Sequence, residues 1–303
     1  MKYNYSHFKS GVLILCLAVF TMMACTKVEK DDDFEKGDPP PVPGGYVNSD
    51  EIAPTNLIAY WDFNGNLKDA VSGNNATNAG TTFEAGIKGQ AYKGTNTTYA
   101  TFNPGATIQG LKSFSISFWL NTPVNTGAVG IFSLTNTLDF WGSLDIYQDN
   151  GGSGSQTVFK VHLNNANVPW AGQFTDTKID INKWVHIGIT YEAATSKFNI
   201  YQNGNAIGVN SAGNPQNTVG PILHGSDPNQ NPVTPYGDIK FVNATAVAFG
   251  AFQFQTDPPL TGAASAQSWA TNFPGKMDEF RIYNRALTAQ EVSALAILEK
   301  QGR

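Results

Sequence analysis

The strongest constraint on this chain is a two-residue rhythm. Short apolar-alternating runs recur through it: LIAYWDF, SFSISFWL, AVGIFSL, LDIYQ, TVFKVHL, WVHIGITY, KFNIYQNG, AVAFGAF and DEFRIYN. Period-two alternation sends successive side chains to opposite faces of a strand. Turn signals such as DNGGSG and QNGN separate the runs, and no alternating helix–strand units appear. This pattern predicts an all-β fold, an antiparallel sandwich or barrel. Only 14% of residues are charged, against about a quarter in average soluble domains, so Asn, Thr, Ser and Gly make up the surface. A net charge of −5 with no clustered basic face argues against nucleic acid as a partner. One helix is expected, at the end. Thr288 and Glu291 form a capping box, Leu287 and Val292 a hydrophobic staple, and Leu295 and Leu298 continue the stripe.

At the N-terminus, Lys2 and Lys9 precede an apolar run over 12–23 that ends in Ala24 and Cys25. The run is shorter than the roughly 20 residues that span a bilayer and suits a signal peptide over 1–24. Cys16 would leave with it. Cys25 resembles the acylated cysteine of a bacterial lipobox, although Met22 stands where Leu is usual; the alternative is ordinary cleavage near Ala24 that leaves a free thiol. Neither case offers a disulfide. Residues 25–55, charged and then rich in Pro and Gly, read as a tether. Its run Asp31, Asp32 and Asp33 resembles the surface-export signal of Bacteroidetes lipoproteins, or is simply a solvated spacer. The expected location is the outer membrane, held by lipid and displayed at the cell surface.

Three stretches carry a family resemblance: LIAYWDFNGNLKDAVSGNN (57–75); FSISFWL (114–120) with KWVHIGITYE and KFNIYQNG (183–204); and FPGKMDEFRIYNRALTAQEV (273–292). Their order is similar to that of laminin-G-like, concanavalin A-like lectin/glucanase domains. The resemblance implies two antiparallel sheets in a jelly-roll sandwich over 56–303, closed by a short C-terminal helix. A Pro- and Asn-rich insertion at 211–241 falls outside it. The fold hosts lectins, hydrolases, lyases and adhesion modules, so function must come from sites.

Hydrolases of this fold usually carry E-x-D-x-x-E on one strand, and no such pattern occurs. The lyase motifs of the fold have no convincing match either. Asp278 and Glu279 are neighbours that strict alternation sends to opposite faces, so they cannot flank one bond. Alternation puts Asp278 on the core side with Phe280 and Ile282, and Glu279 outside with Arg281. A core-side carboxylate needs hydrogen bonds or a metal. The family implies a structural Ca²⁺ between the first loop and the last strand, for which Asp69, Asp278 and Asn64 are the expected ligands; the alternative is that Asp278 caps loop amides. Outward positions of the middle strands give the expected ligand face: Trp119, Asp145, Tyr147, His162 and Asn164, with Trp170 and Gln173 from the loop NNANVPWAGQF. Trp119, Trp184 and His186 also match positions that look structural in the family. The first reading is non-catalytic binding of a glycan or polysaccharide. Adhesion or assembly with surface proteins comes second, and a glycoside hydrolase or polysaccharide lyase third.

Overall fold

A computed structural model describes residues 41–303 apart from 126, 164–176, 196, 208, 212–213 and 217–236. The chain divides into two units, Met1–Asp38 and Pro39–Arg303, and the described residues belong to the second.

The alternating runs become strands. In chain order these are β1 (Leu57–Trp61), β2 (Thr77–Ala79), β3 (Thr82–Ala85), β4 (Gln90–Lys93), β5 (Tyr99–Phe102) and β6 (Phe114–Asn121). Next come β7 (Ala128–Leu134), β8 (Leu144–Ser153), β9 (Gln156–Leu163), β10 (Thr177–Asp180), β11 (Val185–Glu192) and β12 (Lys197–Gln202). The last are β13 (Asn205–Ile207), β14 (Val209–Ser211), β15 (Asn214–Gln216), β16 (Val247–Phe249), β17 (Ala270–Asn272) and β18 (Lys276–Tyr283). Helices α1 (Gly105–Gln109) and α2 (Ala289–Lys300) and a 3-10 turn at Ser49–Glu51 complete the described elements.

Two eight-stranded sheets form the sandwich. The first runs β13-β12-β11-β6-β18-β4-β3 with β1 also on β18; the second runs β10-β9-β8-β7-β16-β5-β2 with β17 also on β7. Their pairings are antiparallel except β17 with β7. The inward positions read from the sequence, among them Phe114, Ile116, Phe118, Leu120, Ile146, Phe159 and Val161, meet in one core. At its centre Trp61 packs edge-on against Phe102 at 5.0 Å and Phe249 at 4.8 Å. Each such aromatic contributes about 1.5–3 kcal/mol through burial.

Both central strands change neighbours part-way along. In the first sheet β4 pairs with Lys276 and Met277, while β1 pairs with β18 from Phe280 onward. At the changeover Asp278 faces Trp119 and Arg281 faces Ser117, so β18 spends one more residue than β6. This is a β-bulge, with Glu279 held at φ 52°. It corrects the alternation: Met277, Phe280 and Ile282 lie in the core, and Asp278 joins Glu279 and Arg281 on the outer side. Glu279 is not exposed as expected but fully buried, bonded to Arg281 Nη2 at 3.1 Å and to the Tyr60 hydroxyl at 2.8 Å. In the second sheet β7 passes from β16 to β17, with an irregularity between Gly130 and Phe132. A Cβ at Gly130 would stand 2.3 Å from Phe252 N, so the crossing chain requires glycine there.

Helix α2 forms with the expected cap. Glu291 N donates to Thr288 Oγ1 at 3.2 Å, and Thr288 N donates to Glu291 Oε2 at 2.8 Å. Its apolar side, with Val292, Leu295 and Leu298, covers Tyr201 and Tyr283 on the outer face of the first sheet. Val42 and Ile52 belong to the same cluster. Residues 42–55 were expected to be tether, yet this stretch is part of the domain. Ser49 Oγ donates to Arg303 O at 2.7 Å, and Arg303 Nε donates to Val47 O at 2.9 Å. Val42 and Ile52 are too far apart to show a local period, and their partner is the far end of the chain.

Candidate ligand-binding site

Trp119, Asp145, Tyr147 and His162 leave the sandwich core as alternation predicts, but leaving the core does not expose them. Trp119 and His186 are buried beneath α2. Trp119 Nε1 donates to Glu299 Oε2 at 2.9 Å. His186 Nε2 and Ser117 Oγ lie 2.8 Å apart, and burial lowers the imidazole to about 3. On the second sheet Tyr147 is 2% exposed, under Trp141 at 5.8 Å and Phe252 at 5.3 Å. Asp145 is fully buried and accepts from Ser133 Oγ at 2.5 Å and Gly142 N at 2.8 Å. His162 Nδ1 lies 3.4 Å from the same carboxylate. The Ser133 hydroxyl is thus bonded to a carboxylate and not to an imidazole, so the three do not make an activated nucleophile. The open face expected from Trp119, Asp145 and Tyr147 is not formed, because a further layer packs over each sheet. Asn164, Trp170 and Gln173 lie outside the described residues.

The layer over the second sheet creates a surface of its own. Residues 139–142 and the loop after β16 bring Phe140, Trp141, Phe252 and Phe254 over Tyr147. Trp269 packs on Phe254 at 5.6 Å and Trp141 at 6.1 Å, yet remains 44% exposed. Its backbone is fixed by Ala128 N, which donates to Trp269 O at 3.2 Å. The indole opens on a cleft of about 560 Å³ whose other polar walls include Asn96, Asn125, Asp149, Ser268 and Thr271. Asp149 is held by Lys160 Nζ at 2.5 Å, and Asn125 Nδ2 donates to Pro123 O at 3.1 Å and to Gln148 Oε1. A rigid aromatic face beside oriented amides and a carboxylate is what a sugar ring needs, since its C–H face is apolar and its hydroxyls both donate and accept. Trp269, Asp149, Asn125 and Asn96 were missed from the sequence. The one signal was a lone Trp in the stretch GAASAQSWATNFPG.

A protein-family model of the concanavalin A-like lectin/glucanases superfamily, Laminin_G_3, matches residues 93–244 and 236–293. The chain belongs to this superfamily. Among solved structures, this Laminin_G_3 chain is similar to domain 4 of AbnA, a GH43 extracellular arabinanase from Geobacillus stearothermophilus, in complex with arabinotriose. Identity is 17% over 80% of this chain and 98% of that one, with a TM-score of 0.50. It is also similar to botulinum neurotoxin type C, described as entering cells through two ganglioside molecules, at 15% identity over 81% and 51% of the chains and a TM-score of 0.51. The binding domain of botulinum neurotoxin DC in complex with SialylT matches at 15% over 82% and 52%, with a TM-score of 0.50. These likenesses establish the shared fold; the toxin chains are about twice the length matched. No curated protein matches the sequence.

The superfamily's implied Ca²⁺ does not fit the side chains proposed for it. Asp69 accepts from Tyr60 N at 2.8 Å, Val71 N at 3.1 Å and Ser72 N at 3.1 Å. Asp278 accepts from Ile87 N at 2.8 Å, Lys88 N at 3.1 Å and Glu279 N at 2.9 Å. Asn64 Oδ1 accepts from Gln90 N at 2.7 Å. Amide protons therefore point where a cation would sit, whereas Ca²⁺ calls for six to eight oxygens. Among the described residues no three His, Cys, Asp or Glu side chains gather as metal ligands. In this arrangement Asp69 caps the loop after β1, Asp278 pins the β3–β4 turn to the bulge of β18, and Asn64 ties the start of β4 to the loop after β1.

Proposed function

We propose that this Laminin_G_3 chain is a non-catalytic carbohydrate-binding protein whose ligand occupies the Trp269 cleft. The observation that carries the reading is an exposed indole, backed by an aromatic cluster and facing Asn96, Asn125 and Asp149. The ligand's ring stacks on Trp269, and its hydroxyls are met by Asp149 and the two amides. Neighbours of the same fold were solved with arabinotriose and SialylT, which makes arabinotriose the natural first probe in a panel of neutral oligosaccharides. Trp269→Ala is expected to weaken binding by calorimetry between tenfold and a hundredfold, since an aromatic contact is worth about 1.5–3 kcal/mol. The melting temperature should fall by only a few degrees, because the 44% exposed indole gives up its packing on Phe254 and Trp141 while the core stays intact. A glycan bound equally well by Trp269→Ala would place the site elsewhere. Binding to no glycan in the panel would favour an adhesion module.

The same reading makes the protein a surface lipoprotein. Cys25 carries the lipid after removal of 1–24, and the linker shortens to the residues before Val42. The apolar run over 12–23 followed by Ala24 and Cys25 supports this. Cys25→Ser is expected to move the protein out of the membrane fraction and abolish labelling by a fatty-acid analogue. A labelled Cys25→Ser variant would exclude that cysteine as the anchor.

A further inference from the structure

The first sheet carries a second recess, chemically unlike the first. Where the last turns of α2 meet the start of β11, a groove of about 610 Å³ is lined by Trp119, Trp184, Lys183, Lys300, Asn203 and Gln301, with Ala296 and Ile297 of the helix. Trp184 is half-buried, while Lys183 and Lys300 are exposed. The floor is rigid: Trp119 is held through Nε1 by Glu299 at 2.9 Å and packs on His186 at 5.3 Å. Asn203, at φ 50°, accepts from His186 N at 3.0 Å.

Charge distinguishes this groove from the rest of the molecule. The chain carries a net charge of −5, yet among the described residues the groove wall includes two lysines and no acid. Glu299, next to Lys300, is turned inward and engaged with Arg281 Nε at 2.9 Å. Asp180 reaches Lys183 Nζ at 2.9 Å from outside the lining. An indole, two amides and two ammonium groups match a sugar ring that bears a carboxylate. The ring's C–H face covers Trp184, the amides meet its hydroxyls, and the lysines bracket the charge. Trp184, over the buried Trp119 floor, is a half-buried indole rather than a pocket for one side chain, which favours a saccharide over an acidic peptide.

We propose that this groove is a second saccharide site, selective for acidic, uronate-bearing oligosaccharides. It stands apart from the Trp269 cleft, on the opposite sheet and with opposite charge. The test is calorimetric titration of the full folded chain with tri-galacturonate, tri-glucuronate and tri-mannuronate, and with neutral trisaccharides as controls. At least one acidic probe should bind in preference to its neutral counterpart, with affinity falling as salt rises. The double variant K183Q/K300Q should lose about tenfold or more of that affinity, and Trp184→Ala a similar amount. Both lysines are exposed, so an unchanged melting temperature is expected and checks that the double variant is folded. Trp269→Ala should leave acidic binding intact, which separates failure of this site from failure of the cleft. The proposal is overturned if no uronate trisaccharide binds, if K183Q/K300Q binds as wild type does, or if Trp269→Ala alone removes acidic binding.

Discussion

Arg281→Met is expected to destabilise the domain by about 3–5 kcal/mol, the scale for removing one partner of a buried ion pair. Arg281 is fully buried and holds Glu299 through Nε at 2.9 Å, Glu279 through Nη2 at 3.1 Å and Asp50 through Nη1 at 3.0 Å. Its guanidinium lies 3.8 Å over the Tyr60 ring. Take the cation away and two buried carboxylates, Glu279 and Glu299, are left with Tyr60, Trp119 and the more distant Lys88 as partners. Burial pushes the Glu299 carboxyl up to about 8 even with Arg281 in place, and without that cation it would hold its proton more tightly still. Folded values above the unfolded ones mean stability that is present at low pH and lost as pH rises. The deficit of Arg281→Met should therefore be larger at pH 8 than at pH 5 in urea unfolding. The triple variant E279Q/R281M/E299Q should recover much of it, because it removes the charges along with their partner. A loss below about 1 kcal/mol would mean that packing alone holds this region. The same network ties the 3-10 turn to α2, so hydrogen exchange should quicken in both before the sheets respond.

What the sequence made legible was periodicity. Phe114, Ile116, Phe118 and Leu120 face inward because one strand obeys one rhythm, and α2 starts directly after Thr288 because its cap lies within four residues. What stayed hidden depends on partners distant in sequence. Strict alternation misplaced Asp278 because β18 trades β4 for β1 at that point, and the bulge that absorbs the exchange adds a residue. Tyr147 was placed on the correct side but not under its cover, since the segment after β16 has no period of its own. Its aromatics, Phe252, Phe254 and Trp269, are spaced by loop geometry. The candidate cleft was therefore the least legible feature: its indole, amides and carboxylate come from four separate segments that only the fold assembles.

Asp278 should give the domain a pH dependence that a single amide substitution reverses. Burial, its largest influence, pushes the carboxyl from 3.8 up to about 7; the amides of Lys88, Ile87 and Glu279 pull it down, and the charge of Glu279 adds to the rise. The folded value is above the unfolded one, so the stability this group contributes is complete below about pH 4 and is lost as pH climbs through 7. A rise of that size corresponds to roughly 4 kcal/mol over the window. Asp278→Asn keeps one oxygen for the amides of Ile87 and Lys88 and carries no charge. Its NH₂ would then oppose Glu279 N, at a cost of about 1 kcal/mol. The variant should therefore be slightly less stable than wild type at pH 4 and more stable at pH 8, with the two curves crossing between. Comparing variant with wild type cancels the other titrating groups, Glu299 among them. The unfolding series is run in chelator and again with Ca²⁺, and wild type should behave alike in both, since the carboxylates meet amide protons. A wild type that stays ahead at pH 8 in chelator would mean that the three amides hold Asp278 ionised. A lead that appears only with Ca²⁺ would mean that the ion displaces those amides and that the capping arrangement is its empty alternative.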